Sequence, residues 1–249
     1  SKAFKNAALV CVMSTGMQKL YMDKYDLETY PLRHTFNHSK LEILPNSKDS
    51  KKKVFWGGAV YGINKASIAK FSGLLNKTDF TLELATNASR QRLTQFGVNF
   101  ERVETSYYSN TNDYWDAILG STCLLLALDK QEDTKIDFDE ISTIFPTKAI
   151  EYMFSNIPIL VICPEDYFLN RFFSENNCGL VVNDIDDETS IIRAMKKVAE
   201  LDATVKEKVN NAKKIADKLF NPELVRKGFK ELLEEKLLML NHENKSTKV

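Results

Sequence analysis

The sequence lacks an excess of either charge, since its 249 residues carry 34 basic and 34 acidic side chains. Proteins that follow a nucleic-acid backbone need a basic excess to release counterions, so we exclude a general nucleic-acid binder. A specific anionic ligand stays compatible with this balance, because a few well-placed cations are enough to hold one. The apolar fraction of 43% is that of an ordinary globular protein, which excludes a disordered or collagen-like chain.

The sequence also lacks long hydrophobic runs and paired cysteines. Its longest apolar runs, 123–128 and 157–164, are much shorter than the roughly 20 residues that span a bilayer. No basic-then-apolar signal segment opens the chain, and the four cysteines show no Cys-x-x-Cys spacing. We therefore expect a cytoplasmic protein with reduced, buried thiols.

Short apolar runs alternate with helical patterns along most of the chain. The run at 7–13 predicts a strand, a helical pattern follows as far as Tyr25, and 30–36 predicts another short strand. A polar, lysine-rich stretch at 37–53 indicates a linker. Beyond it, strands are predicted at 54–56, 80–85, 100–104, 123–128, 159–163 and 179–182.

Helices are predicted between these strands and after the last one, at 65–76, 88–96, 111–119, 146–155, 166–176, 188–200, 204–220 and 222–240. Regular alternation of strands and helices predicts an α/β fold with a doubly wound, Rossmann-like parallel sheet. Ligands of such sheets bind at the carboxyl ends of the strands, so the loops that follow the strands are the candidate sites.

The first candidate loop, residues 56–62, contains Gly57 and Gly58 and precedes a helix that carries Lys65. Glycines have no Cβ atom, so a phosphate or sugar can approach the backbone N–H groups, and the start of the following helix favours negative charge. The alternative is a tight turn that needs a positive φ.

The second candidate loop, residues 144–152, places Pro146, Thr147, Lys148 and Glu151 at the start of a predicted helix. Proline suits the first turn, so Thr147 and Lys148 lie where unpaired backbone donors point outward. A hydroxyl, an ammonium group and free N–H groups together can hold a diphosphate. Glu151 lies on the same helix face one turn deeper, where a carboxylate can accept both hydroxyls of a ribose. The alternative is a Lys148–Glu151 ion pair on the surface.

The third candidate loop, residues 101–108, contains Thr105, Ser106, Tyr107 and Tyr108. An aromatic side chain or backbone edge here can meet a nucleobase, and the alternative is packing in the core or at its rim.

An acidic stretch at 129–140 contains Asp137-Phe138-Asp139, which matches the Asp-x-Asp spacing of some metal sites. We interpret the stretch as solvated surface and expect no metal.

The run 145–160 carries a family resemblance. It reads Phe-Pro-Thr-Lys-Ala-Ile-Glu-Tyr-Met-Phe-Ser-Asn-Ile-Pro-Ile-Leu. It resembles the Pro-Ser/Thr-Lys-x-x-Glu-Tyr…Gly-x-Pro-(Ile/Val) segment of bacterial GT-B glycosyltransferases of the family 4 type. The Gly57-Gly58 turn and the run Asn-Cys-Gly-Leu-Val-Val at 177–182 agree with it, and 13–25 resembles the last strand and helix of the amino-terminal GT-B domain. The resemblance covers nearly the whole chain.

The resemblance implies a division of the chain. GT-B enzymes consist of two Rossmann-like domains that face a cleft, the carboxyl-terminal one binding the nucleotide-sugar donor and the other the acceptor. Residues 1–45 would be the end of the acceptor domain with a linker, 46–220 the donor domain, and 221–249 a crossover helix with a polar tail. A membrane-surface role is the alternative for that helix. Most of the acceptor domain is then missing, and we expect this fragment to be inactive alone.

The resemblance also implies roles for single residues. Thr147 and Lys148 would contact the donor diphosphate, Glu151 the ribose, and the glycine turn the phosphate and sugar. The full set of donor-binding candidates is Gly57, Gly58, Lys65, Thr105, Thr147, Lys148 and Glu151.

Two positions depart from the family pattern. Many relatives carry a glutamate that faces the transferred sugar, eight positions before the ribose-binding one, and this chain has Thr143 there. Many also carry an arginine just after the glycine turn, where this chain has Ala59, so Lys65 becomes the nearby cation. Lys148 and Thr143 are the catalytic candidates.

Together these features predict a glycosyltransferase of bacterial surface polysaccharide synthesis that uses a UDP-, GDP- or similar nucleotide sugar. We expect retention at the anomeric carbon, no metal or other cofactor, and a glycan or lipid-linked acceptor. Lys148, Thr147 and backbone N–H groups would stabilise the leaving diphosphate. We expect location in the cytoplasm at the inner face of the membrane, with membrane contact through the missing domain. The alternative is a non-catalytic nucleotide-sugar or protein-binding module.

Overall fold

The computed structural model describes residues 4, 6–36 and 52–246. The part before residue 37 contains β1 (Cys11–Val12), α1 (Thr15–Tyr25) and β2 (Tyr30–Pro31), which pairs in parallel with β1. Ser14 caps α1, because its hydroxyl accepts a hydrogen bond from the N–H of Met17. The predicted order of strand, helix and strand is confirmed, although both strands are shorter than predicted.

The second part contains a parallel sheet of six strands, which are β3 (Lys53–Gly57), β4 (Thr81–Ala85), β5 (Val103–Ser106), β6 (Cys123–Ala127), β7 (Ile159–Ile162) and β8 (Leu180–Val182). Their order across the sheet is β5-β4-β3-β6-β7-β8. The chain therefore reverses its direction of winding between β3 and β6, as in the dinucleotide-binding doubly wound fold. This confirms the predicted fold class and places the expected ligand crevice at the carboxyl ends of β3 and β6.

The helices of this part are α2 (Lys65–Leu74), α3 (Arg90–Gln95), α4 (Thr111–Leu119), α5 (Phe138–Thr143), α6 (Thr147–Phe154), α7 (Phe168–Glu175), α8 (Glu188–Glu200), α9 (Ala203–Leu219) and α10 (Pro222–Ser246). Alternate strand side chains point into two apolar layers. Phe55 and Leu124 pack in the layer that holds α4, α6 and α7, whereas Val54 and Leu125 pack in the layer with α2 and α8. The inner strands β3, β6 and β7 are buried on both faces, which explains why they read as nearly continuous apolar runs, whereas the edge strand β5 is partly exposed.

The acidic stretch 129–140 is exposed at Glu132, Asp137 and Glu140, as the sequence indicated, but it also contains a buried residue and a helix that the sequence did not indicate. Asp129 is fully buried, and α5 begins within the stretch. Asp137 caps α5 by accepting a hydrogen bond from the N–H of Asp139 at 2.9 Å, and the Asp139 carboxylate pairs with Lys24 of α1. The two aspartates of the Asp-x-Asp run therefore have structural roles: the first caps a helix and the second forms an ion pair. A pairing of this kind depends on a distant segment and leaves no local pattern.

The terminal helix α10 contacts the first part of the chain, since the rings of Phe229 and Tyr30 lie 6.3 Å apart between centroids. The predicted boundary near residue 45 falls in 37–51, which lies outside the described residues. Within the described ranges, α10 and the other helices are too short or too polar to cross a membrane.

Candidate functional site

A cleft of about 750 Å³ opens at the carboxyl ends of β3, β4 and β6. This is the position that the reversal of winding predicts for a ligand. Its walls are formed by the turn after β3, the ends of β4 and β6, the start of α6, and Met13 from the first part of the chain. Five of the predicted donor-binding residues line this one cleft: Gly57, Gly58, Thr147, Lys148 and Glu151.

The glycine turn after β3 is tightly built. Gly58 has a φ of 119°, so the turn with positive φ that the sequence left open is present. A Cβ atom at Gly57 would collide with the hydroxyl of Tyr114. The N–H of Gly57 donates to the hydroxyl of Tyr152 at 2.8 Å, and that of Gly58 donates to the carbonyl of Ala85 at 2.8 Å. These two N–H groups were expected to bind a phosphate, but they make hydrogen bonds within the protein instead. The missing Cβ atoms allow the side chain of Tyr114 to approach Gly57 and that of Lys148 to approach Gly58.

Lys148 points its ammonium group into the cleft wall formed by the glycine turn. Its Nζ lies 3.5 Å from the ring centre of the buried Trp56, and a Cβ atom at Gly58 would lie 3.1 Å from it. Among the described residues, this ammonium group makes no hydrogen bond and no ion pair. Burial lowers the pKa of Lys148 to about 7, and the negative charge of Glu151 opposes that shift. The group has three donors to offer, so an anion in the cleft would complete its coordination.

The start of α6 is open toward the same cleft. Pro146 is the residue before the helix, and no side chain caps this end. Thr147, the first helical residue, is exposed and lines the cleft. The first turn of a helix leaves N–H groups without helical partners and carries partial positive charge. The open end of α6 and Lys148 therefore present positive charge to the same space.

Glu151 lies one turn further along α6. One of its carboxylate oxygens accepts a hydrogen bond from the Tyr114 hydroxyl at 3.2 Å. Burial raises the pKa of Glu151, while that hydrogen bond and the charge of Lys148 oppose the rise. The alternative of a Lys148–Glu151 surface ion pair does not match the described structure, because each side chain has turned to a different partner. The remaining lone pairs of the carboxylate are open to hydroxyl donors of a ligand.

The structure does not place three other candidates in the cleft. The ammonium group of Lys65 lies 5.9 Å from the ring centre of Phe96. Thr105 lines a neighbouring depression. Thr143 lines a groove between α1 and α5, and its hydroxyl donates to the carbonyl of Asp139 at 2.8 Å. The sequence suggested that these residues lie near the cleft, but in the structure each of them contacts or lines another part of the molecule.

Of the third candidate loop, Tyr107 and Tyr108 line the cleft. The Tyr108 hydroxyl is bound to the carboxylate of Glu83, whereas Tyr107 is 72% exposed. Tyr107 is therefore the aromatic of this loop that is available to a ligand.

Asp129 is a structural residue of the site that the sequence analysis missed. Its carboxylate accepts hydrogen bonds from the N–H groups of Ser67 at 2.7 Å and Ala66 at 3.2 Å, at the start of α2. The helix end that was expected to attract a negatively charged ligand therefore already holds the protein's own carboxylate. Only the position of Asp129 directly after a buried strand signals this role in the sequence.

Asn64 and Glu140 also line the cleft without having been predicted. The side chain of Asn64 accepts from the N–H of Tyr61 at 3.0 Å and donates to the carbonyl of Ala59 at 3.3 Å. It thereby holds the loop after the glycine turn. A buried asparagine in a loop is compatible with this role, but no spacing rule identifies it.

No family model and no curated protein sequence matches the chain. Solved structures do resemble it. Sucrose-phosphate synthase from Thermosynechococcus elongatus has a TM-score of 0.66 at 13% identity, covering 96% of this chain and 60% of that chain. HepE from Anabaena, solved in complex with UDP-glucose, has a TM-score of 0.66 at 13% identity, covering 94% of this chain and 65% of that chain.

A TarM structure from S. aureus, which contains UDP, has a TM-score of 0.64 at 13% identity and covers 92% of this chain. The present chain spans only 44% of that protein, so it corresponds to part of the length of all three. These structures are GT-B glycosyltransferases. At such low identity the likeness establishes the fold, and the chain therefore has the GT-B glycosyltransferase fold over the portion that it spans.

Proposed function

We propose that the cleft binds a nucleoside-diphosphate sugar and that the chain is the donor-binding part of a glycosyltransferase of the family 4 type. The observation that carries this proposal is the convergence of Lys148, the open start of α6 and Glu151 on one cleft. The diphosphate lies against Lys148 and Thr147, the ribose hydroxyls face Glu151, and the base lies toward Tyr107. The complexes of HepE with UDP and with UDP-glucose support this class of ligand.

The chemistry follows from the charges around Lys148. Glycosyl transfer breaks the bond between the anomeric carbon and a diphosphate oxygen, so negative charge grows on the leaving diphosphate. Lys148 and the start of α6 stabilise that charge, and this stabilisation is stronger in the transition state than in the ground state. With a protein cation in this place the reaction proceeds without a metal ion. An acceptor hydroxyl oxygen forms the new bond to the anomeric carbon while its proton passes to the departing diphosphate, and we propose that the anomeric configuration is retained.

The acceptor comes from outside the described cleft. The chain spans 44% to 65% of the three structures compared above, so we assign acceptor binding to a further portion of the enzyme. We propose a glycan or lipid-linked acceptor of bacterial surface polysaccharide synthesis, and reaction in the cytoplasm at the inner face of the membrane.

Thermal unfolding with a panel of UDP, GDP, ADP and their sugars, in the presence of a chelator, tests the donor site. A nucleotide at about 100 times its Kd stabilises a protein by about 2.7 kcal/mol, which raises the Tm of a domain of this size by several degrees. We expect one base to produce this shift in wild-type protein and not in Lys148→Met. If no member of the panel shifts the Tm, the donor site is wrong.

A second candidate is a non-catalytic nucleotide-sugar or protein-binding module. It is favoured by Ala59, which puts no cation into the glycine turn, and by Thr143, which lies outside the cleft. Donor hydrolysis and transfer by a version that carries a complete acceptor domain separate the two. Tight donor binding without turnover would favour the module.

A further inference from the structure

Trp56 precedes the glycine turn at the end of β3, and its ring lies against the ammonium group of Lys148. Trp56 is 2% exposed, packs in the apolar layer that holds α2, and lines the cleft. Its strand is paired on both sides, with β4 and with β6. A ring packed into the centre of a sheet has little freedom to move, so it is a rigid support for the long side chain of a lysine.

The indole N–H group does not explain why a tryptophan stands at this position. Its Nε1 atom is buried and has no hydrogen-bond partner within the described residues. A buried donor without a partner destabilises a fold, and a phenylalanine would avoid that cost. What distinguishes tryptophan is its ring face, which attracts a cation more strongly than the other aromatic side chains do. Lys148 supplies that cation, with its Nζ 3.5 Å from the ring centre.

Glu151 is the alternative partner for Lys148. The two residues lie three positions apart on α6, a spacing at which lysine and glutamate form ion pairs. Both lie in the described part of the chain, where this pair is not formed, and the Glu151 carboxylate accepts from Tyr114 instead. An ammonium group is attracted more strongly to a desolvated indole ring than to a carboxylate at this spacing on a helix. The ring of Trp56 therefore keeps the cation and the carboxylate apart, and both stay open to a ligand.

The glycine turn leaves room for the ammonium group on the ring. A Cβ atom at Gly58 would lie 3.1 Å from the Nζ of Lys148, which is closer than most Cβ contacts. The ammonium group is therefore enclosed by the Trp56 ring and the glycine turn, while Lys148 still lines the cleft. This places its charge at the end of β3, where the proposed donor has its diphosphate.

We propose that Trp56 is a positioning residue of the donor site, whose ring holds the ammonium group of Lys148 beside the glycine turn and prevents it from pairing with Glu151. This inference rests on the proposed donor function. Trp56 then contributes to nucleotide binding through Lys148.

A double-mutant cycle with Lys148 tests this role by isothermal titration, using whichever of UDP, GDP and ADP binds the wild-type protein. Trp56→Leu should weaken binding about tenfold, because the lysine loses its support. Trp56→Phe keeps an aromatic ring and should bind within about threefold of wild-type protein. In the Lys148→Met background, Trp56→Leu should change the affinity by less than about twofold, because the cation on which the ring acts is gone.

Phe71→Ala is the control for damage to the core. Phe71 is fully buried in the same apolar layer as Trp56 and is not among the residues that line the cleft. This variant should lose stability through the cavity that it creates, yet it should bind the nucleotide within about twofold of wild-type protein.

Fluorescence tests the contact without any change at Trp56, and so decides the question if Trp56→Leu does not fold. The sequence has two tryptophans, so Trp115→Phe leaves Trp56 as the only one. A charge at the ring alters the energy of the excited indole. Adding Lys148→Met should therefore shift the emission maximum, whereas adding Lys65→Met should leave it unchanged.

Four outcomes would overturn the role of Trp56. These are an unchanged affinity in Trp56→Leu, a loss in Trp56→Phe as large as that in Trp56→Leu, an equal loss from Trp56→Leu with and without Lys148, and an emission maximum that does not respond to Lys148→Met. Absence of nucleotide binding in wild-type protein is a different failure, because it removes the donor function and this inference with it.

Discussion

Two helices begin beside the reversal point of the sheet. The first turn of one helix is bound by a carboxylate of the protein, whereas the first turn of the other has no side-chain cap. The start of α2 receives the buried carboxylate of Asp129, which binds the N–H groups of Ser67 and Ala66. The start of α6 has no side-chain cap and opens into the cleft. Both ends carry the same partial positive charge, so the backbone dipole does not distinguish them. What distinguishes them is whether another segment of the protein supplies an acid.

The lysines of the two helices differ in where they lie relative to the cleft. Lys65 of α2 lies against Phe96, away from the cleft residues, whereas Lys148 of α6 is held on Trp56 beside the glycine turn. The difference teaches that an anion site needs an open helix end together with a cation that lies in the same cleft. We expect four experiments to test this contrast.

The largest effect should come from Lys148→Met, which removes the cleft cation and keeps an apolar side chain over Trp56. Loss of a hydrogen bond to a charged group corresponds to about 1.5–3 kcal/mol, so nucleotide affinity should fall roughly 10- to 100-fold in titration calorimetry. Lys65→Met is the control and should bind within about twofold of wild-type protein. Equal losses in the two variants would remove the contrast between the helices.

The next effect concerns the closed helix end. Asp129→Ala should lower the free energy of unfolding by about 2 kcal/mol, because buried N–H groups lose their acceptor. Urea denaturation measures this change. Asp133→Ala, which removes a partly exposed partner of Lys70, should lower it by less than about 1 kcal/mol. A small change in the free energy of unfolding of Asp129→Ala would mean that water can replace the carboxylate, so that the start of α2 would be open like the start of α6.

The third effect is a dependence of binding on pH. Burial lowers the pKa of Lys148 to about 7, so the ammonium form that binds the diphosphate predominates below pH 7 and is progressively lost above it. Affinity for a nucleotide sugar, whose diphosphate does not titrate near neutrality, should therefore decrease above pH 7, by at most about tenfold per pH unit.

Calorimetry from pH 6 to pH 8.5 measures this slope. The neighbouring titratable group is Glu151, whose pKa is raised by burial. The same titration on Lys148→Met should be flat above pH 7. A slope that persists in this variant would assign the pH dependence to another group.

The smallest effect should come from the hydroxyl at the open helix end. Thr147→Val keeps the shape of the side chain and removes one neutral hydrogen bond to the phosphate, so affinity should fall about fivefold, equivalent to about 1 kcal/mol. Thr105→Val removes a hydroxyl from the neighbouring depression and should have no measurable effect. An equal loss of affinity in Thr105→Val would mean that the ligand also contacts that depression.

Much of the fold could be predicted because it depends on local periodicity. Apolar runs identified most strands of the sheet, whereas the strand predicted at 100–104 overlaps β5 (Val103–Ser106) by only two residues, and Pro146 correctly marked the start of α6. The main failures lie in the stretch 129–140. A short helix with three acidic residues near its start has little apolar periodicity, so α5 was missed, and the burial of Asp129 depends on Ser67, which is 62 residues away in sequence.

In the candidate site, too, features that depend on local spacing could be predicted, and features that depend on packing between elements could not. Lys148 and Glu151 were placed on one helix face because three residues make nearly one helical turn. That the two side chains have different partners, Trp56 and Tyr114, could not be predicted, since both partners come from other elements. Thr143 was expected at the reaction centre by its position in a motif, but it faces the α1–α5 groove, and Glu140, one turn earlier, reaches the cleft.

The sequence by itself determined the alternation of strands and helices, the positions of the two glycines after a strand, and the start of α6, which places Lys148 and Glu151 on one helix face. These features depend on backbone periods and on the conformational limits of glycine and proline, which act within a few residues. Only the tertiary structure decided which helix end stays open and which side chains meet in the cleft. The reason is that the strand order brings Gly57, at the end of β3, next to α6, nearly a hundred residues later in the chain, and such packing depends on which apolar faces are buried together.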